Sequence, residues 1–217
     1  DHLLKTFTPI AELPLVPPVN DQDYPKVPGT VAHWRPTSVD GKLIEKDITE
    51  NGNDMKLMVA GLAPDSAALV DDHMNYSSGM QAIKLVPASK GNFSYFATSK
   101  DAPINKERFT KGYTFETFIN IDKDYSDPNY WSAFLSRGGT RNDLPNFNVP
   151  GADDSDLDEP PMAGAISSLK EIQWAFTDIA PVGMGYSDWS GDVDLGKWYH
   201  IAVVDDPAEG SVVMYVN

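Results

Sequence analysis

The chain has 217 residues, no cysteine, and a net charge of −15 from 32 acidic and 17 basic residues. That length suits one large domain whose core needs no disulfide staples, and the missing cysteine removes disulfide and thiolate chemistry together. Acidity of this size, with no basic run, argues against nucleic acid as a partner and suits either plain solvation or an oxygen-ligating cation such as calcium.

Residues 1–28 read as a Pro-rich leader, with Pro9, Pro14, Pro17, Pro18, Pro25 and Pro28. Proline at this density blocks both helix continuation and central-strand pairing. The segment is a linker or, given Leu3, Leu4, Phe7, Ile10, Leu13 and Leu15, an extended arm lying on the domain. It lacks the basic and apolar regions of a signal peptide. No apolar run in the chain reaches the roughly 18 residues of a membrane span.

Residues 29–217 read as strand, turn, strand. Residues 31–34 are a short candidate, and 55–59 follow the Asn51-Gly52-Asn53-Asp54 turn. Residues 82–86 and 93–96 are split by Lys90-Gly91-Asn92, another turn signal. Residues 113–121 alternate, placing Tyr113, Phe115, Thr117, Ile119 and Ile121 on one face and Thr114, Glu116, Phe118 and Asn120 on the other. Residues 131–136 alternate likewise before Gly138-Gly139, whereas 142–161 are polar and acidic and read as a mobile loop. Residues 163–169 offer a short helical turn at most. Residues 172–176 put Ile172, Trp174 and Phe176 on one side, and 185–191 read as a loop. The last two runs, 198–204 and 211–216, flank the turn formers 205–210 and form an antiparallel hairpin. Many short strands without a helix of useful length predict an all-β sandwich or barrel.

Residues 112–121 and 131–139, with the closing blocks 196–204 and 213–217 and the early turn 47–54, resemble the LamG-like jelly-roll domains of the concanavalin A-like lectin/glucanase superfamily. The blocks fall in the family's order. They look most like the version appended to large secreted bacterial proteins, some of which carry a calcineurin-like metallophosphoesterase domain. The resemblance implies an all-β fold of two antiparallel sheets in a jelly-roll sandwich, a concave face able to hold ligand, and often a structural calcium near the early turn. It also implies a further strand beyond Asn217, so residues 29–217 are expected to be truncated at their C-terminus. The closing strand is then expected at a sheet edge, either bare or covered by the Pro-rich arm or a neighbouring molecule. The phosphoesterase's own metal motifs are not found here, and Asp71-Asp72-His73 lacks the rest of that constellation.

Three constellations could carry chemistry. Glu45-Lys46-Asp47-Ile48-Thr49-Glu50 resembles the catalytic signature of laminarinase-like glycoside hydrolases, in which the two glutamates serve as nucleophile and general acid and the aspartate tunes them. Retaining hydrolysis needs its carboxyl groups about 5 to 5.5 Å apart, which a bulged strand can supply. Here the motif runs into a turn instead of a long central strand, so a solvated strand end is the competing reading. Asp47, Asn51, Asn53 and Asp54 offer calcium several oxygens within one tight loop, although the same residues also make an Asx-rich turn bonded only to its own backbone. Asp154, Asp156 and Asp158 alternate similarly, but Pro160-Pro161 follows and the mid-loop glycine of an EF-hand is missing, so a flexible acidic loop is expected.

For sugar binding the candidates are Glu116, Arg137, Gln173, Trp189 and His200. Trp131, Trp174 and Trp198 are expected in the core, and Trp189 is the tryptophan expected to be exposed. The leading reading is a non-catalytic accessory domain of an extracellular or cell-surface bacterial protein. Its expected partners are carbohydrate or neighbouring domains of the same polypeptide, and its expected cofactor is a structural calcium. The alternatives are a glycoside hydrolase using Glu45 and Glu50, and a spacer beside a phosphoesterase domain not in this chain.

Overall fold

Asp40-Gly41 sets the first hairpin. Both residues have positive φ, 49° and 75°, the combination that a type I′ turn requires and that Asp-Gly supplies cheaply. On either side β1 (Trp34–Val39) and β2 (Lys42–Asp47) pair antiparallel, Val39 opposite Lys42 and Trp34 opposite Asp47. The computed structural model describes residues 27–61, 67–73, 81–86, 92–127, 129–138, 162–177 and 185–217. The Pro-rich segment up to residue 26 and the whole of the predicted loop 142–161, with Asp154, Asp156 and Asp158, lie outside them.

The remaining strands are β3 (Met55–Ala60), β4 (Ala67–Val70), β5 (Ala82–Leu85), β6 (Phe93–Thr98), β7 (Tyr113–Asn120), β8 (Ser132–Ser136), β9 (Met162–Ile166), β10 (Glu171–Thr177), β11 (Gly185–Asp192), β12 (Trp198–Asp206) and β13 (Ser211–Val216). A single 3₁₀ turn, Pro103–Lys106, interrupts them among the described residues. The strands form antiparallel sheets in the orders β1-β2-β3-β6, β11-β10-β9-β8 and β13-β12-β7, with a separate β4-β5 hairpin. The chain is therefore all-β, and no helix among the described residues is long and apolar enough to cross a membrane.

The core lies between two of these sheets. Ile172 and Trp174 of β10 and Ile166 of β9 pack with Ile201 and Val203 of β12 and with Ile121, while Phe115, Ile119, Phe134 and Met214 close around them. The Trp174 ring stacks on Phe115 at 5.3 Å, and its indole N–H donates to the Tyr113 hydroxyl at 3.1 Å. β7 shows why this works: its residues alternate half-buried and exposed along the whole strand, as the sequence predicts. The closing hairpin forms as expected, with Asp206 opposite Ser211 and Ile201 opposite Val216. β13 is an edge strand of its sheet, and part of that edge is met by β11, where the Asp188 carboxylate accepts the Met214 N–H at 3.0 Å.

Three local expectations are corrected. Residues 162–166 form strand β9, paired on both sides, where a helical turn was expected; helix-favouring alanines yield to the sheet contacts. The predicted loop 185–191 is most of strand β11, because a ladder to β10 overrides its Gly- and Ser-rich composition. The first strand begins at Trp34 and runs through Pro36, which β1 tolerates because it lies at a sheet edge. The runs at 82–86 and 93–96 form strands as expected, β5 pairing with β4 and β6 with β3.

Candidate functional site

The loop after β2 is a hydrogen-bonded knot. Asp47 is 1% exposed, and its Oδ1 accepts the Thr49 N–H at 3.0 Å, the Thr49 hydroxyl at 2.6 Å and the His33 N–H at 3.1 Å. Its Oδ2 accepts the Asn53 N–H at 3.1 Å. Asn53 is fully buried: its Nδ2 donates to the Val31 carbonyl at 3.0 Å, its Oδ1 accepts the Ile104 N–H at 2.9 Å, and its own carbonyl accepts the Trp34 indole at 2.6 Å. The Nδ2 of Asn51 also donates to Val31, and Asp54 accepts the Asp47 N–H and the Lys46 ammonium. The four residues that the sequence offers to calcium are thus brought together. Yet both carboxylate oxygens of Asp47, both of Asp54 and the amide oxygen of Asn53 face N–H or O–H donors, which a cation would have to displace. The donor set fits an Asx loop, not an oxygen cage.

Burial pushes Asp47 toward neutrality, but the donors from Thr49, His33 and Asn53 outweigh it and hold its carboxyl below the usual value. Glu45, two residues earlier on the same face of β2, has no such donors, and burial pushes its carboxyl up to about 7. Its cross-strand neighbours are Pro36 and Met55. Glu50 stands apart on the exposed turn, with φ of 64° and its N–H turned back to the Asp47 carbonyl. The motif therefore presents one desolvated acid, one donor-saturated carboxylate and one solvent-facing turn residue. Among the described residues no group of three or more His, Cys, Asp or Glu side chains is placed to hold a metal ion.

The five sugar-binding candidates fall into separate places. Arg137 closes the end of β8, its Nη2 donating to the Asn105 and Glu107 carbonyls at 3.2 and 3.1 Å, which is structural work. Glu116 and His200 share the outer face of the β13-β12-β7 sheet, where the imidazole stacks on Phe118 at 4.7 Å. His200 Nε2 lies 3.6 Å from Glu116 Oε1, too far for a hydrogen bond. Gln173 and Trp189 are cross-strand partners on the outer face of the other sheet, across the core.

Beside Trp189 stands Trp131, whose ring meets it edge to face at 6.1 Å and 80°. Trp131 is not in the core as expected. It sits in the turn before β8 with φ of 67°, and it is 52% exposed. Trp198 is likewise outside the core, half-buried with its indole donating to Asp72 Oδ1 at 3.1 Å; Trp174 alone of the three is a core residue. Of the chain's five tryptophans, Trp34, Trp174 and Trp198 have committed indole N–H groups. Among the described residues the indole N–H groups of Trp131 and Trp189 have no protein partner, and these two rings are the exposed pair. Around them lies a low floor: Ala133, Ala165 and Gln173 align with Trp189 across the sheet, and Gln173 Nε2 donates to Ser187 at 3.3 Å.

No family model, curated protein or solved structure matches the chain.

Proposed function

We propose that this is a non-catalytic carbohydrate-binding domain, a jelly-roll sandwich serving an extracellular or cell-surface bacterial protein, with its ligand on the outer face of the β8–β11 sheet. One observation carries the reading: the two tryptophans whose indole N–H groups have no partner among the described residues are the two that are exposed, and they touch each other beside Gln173. Sugar rings present apolar C–H faces and polar edges, so aromatic faces flanked by amide and hydroxyl groups are the chemistry that recognises them. Catalysis is the weaker reading because Glu45 and Glu50 offer no evident carboxyl pair. A glycan array probed with the parent protein, Trp189→Ala and Glu116→Ala tests it. Binding to a defined glycan class, lost in Trp189→Ala and kept in Glu116→Ala, is expected. Binding lost only with Glu116 would move the site to the opposite sheet, and an array without signal would leave the domain a spacer.

A further inference from the structure

Resting on that reading, we infer that the site takes the terminal pyranose of a glycan chain and not an internal stretch of it. The relation between the two rings sets what can lie on them. A platform for the interior of a flat, ribbon-like β-linked chain needs aromatic faces that are roughly coplanar, so that successive sugars lie along them. Trp131 and Trp189 meet edge to face at 80° with centroids 6.1 Å apart, which makes a corner in which one ring offers a floor and the other stands up as a wall. A pyranose stacked on the floor extends its chain within its own ring plane. The wall closes one of those exits, so only a sugar with no neighbour on that side fits.

Two further features suit a corner. The neighbouring positions on this face are alanines, Ala133, Ala163, Ala165 and Ala175, so the rings rise from a low floor that offers little lateral grip to a long chain. Polar contact is concentrated at one point, where Gln173 and Ser187 stand next to Trp189. Trp131 also keeps a backbone conformation that bulky residues avoid, while its N–H holds the Ile166 carbonyl at 2.8 Å. A strained, exposed aromatic residue marks a candidate working position.

The test follows the indole N–H resonances of Trp131 and Trp189 by NMR. The titrants are methyl β-glycosides of glucose, galactose and mannose, the matching β-linked oligosaccharides of two to six units, and a cyclic β-glucan without a chain end. The expected result is that one methyl glycoside and its hexamer bind within about threefold of each other, while the cyclic glucan does not bind, since added units beyond the corner contribute little. Trp131→Gly, which relaxes the backbone and removes a wall, is expected to keep the parent's melting temperature and to weaken the methyl glycoside about tenfold. Affinity that climbs tenfold or more with chain length, or binding of the cyclic glucan, would overturn the chain-end inference and leave carbohydrate binding intact. No shift with any sugar would remove both.

Discussion

Asp47 and Glu45 stand on one face of β2, yet burial acts on them with opposite results. Asp47 meets four donated hydrogen bonds, and its carboxyl is held below the ordinary value. A carboxyl with a depressed folded pKa stabilises the fold above its unfolded value and loses that contribution as the pH falls through the folded one. Asp47→Ala strands buried N–H groups of His33, Thr49 and Asn53 and is expected to cost about 3 kcal/mol in urea unfolding near neutral pH. Because donors occupy the oxygens, millimolar calcium is expected to leave the melting temperature where EDTA leaves it; a rise of several degrees would show that a cation displaces them. Glu45 runs the other way. With its folded carboxyl raised to about 7, the native state keeps a proton that the unfolded chain releases, so stability falls as the pH rises from about 4.5 to 7 and then levels. Glu45→Gln is expected to flatten that slope and to stabilise the protein by about 2 kcal/mol near pH 8, with little change near pH 5. Equal effects at both values would show that the carboxyl is not desolvated.

The element that repays closest reading is β9, a strand of small residues between β8 and β10. A Cβ at Gly164 would overlap the ring of Phe134 and press on Trp174, so the absent side chain is what lets those rings reach the core. Gly164→Ala is expected to destabilise by about 1 to 3 kcal/mol through overpacking, measured as a lowered urea midpoint with unchanged slope. That strand also marks the limit of what the sequence discloses. β7 and the β12-β13 hairpin are legible because each buries one face, so their alternation and turn residues state the structure locally. The Asp40-Gly41 turn is as local a type I′ signal, but the strand candidates 31–34 and 55–59 pass over it and miss the β1-β2 hairpin. β9 and β11 are not legible, since alanine, glycine and serine carry no period and their pairing comes from β10. The binding face was half legible. Trp189 could be placed outside from its polar neighbours, but Trp131 sits in an alternating run that reads as core, and its left-handed backbone comes from the turn that ends on β8. Nothing in the spacing of residues 131 and 189 announces that the two rings meet.

At the scale of the whole molecule the charge of −15 shapes which glycans can reach the corner. Its field repels polyanions at long range, so uronate- or sulfate-bearing chains must approach against it. A neutral sugar neither gains nor loses from that field, and stacking and hydrogen bonding are short-range. Salt therefore separates the cases. Raising sodium chloride from about 0.05 to about 0.5 M shortens the screening length from roughly 14 to roughly 4 Å. Under the present reading the affinity for a neutral methyl glycoside is expected to change by less than twofold across that range, measured by the same indole shifts. An anionic oligosaccharide of equal length is expected to bind more weakly at low salt and to approach the neutral one only when the field is screened. Affinity that falls steeply with salt would mean that local cations recognise the ligand in spite of the net charge. The aromatic corner would then not be the principal contact.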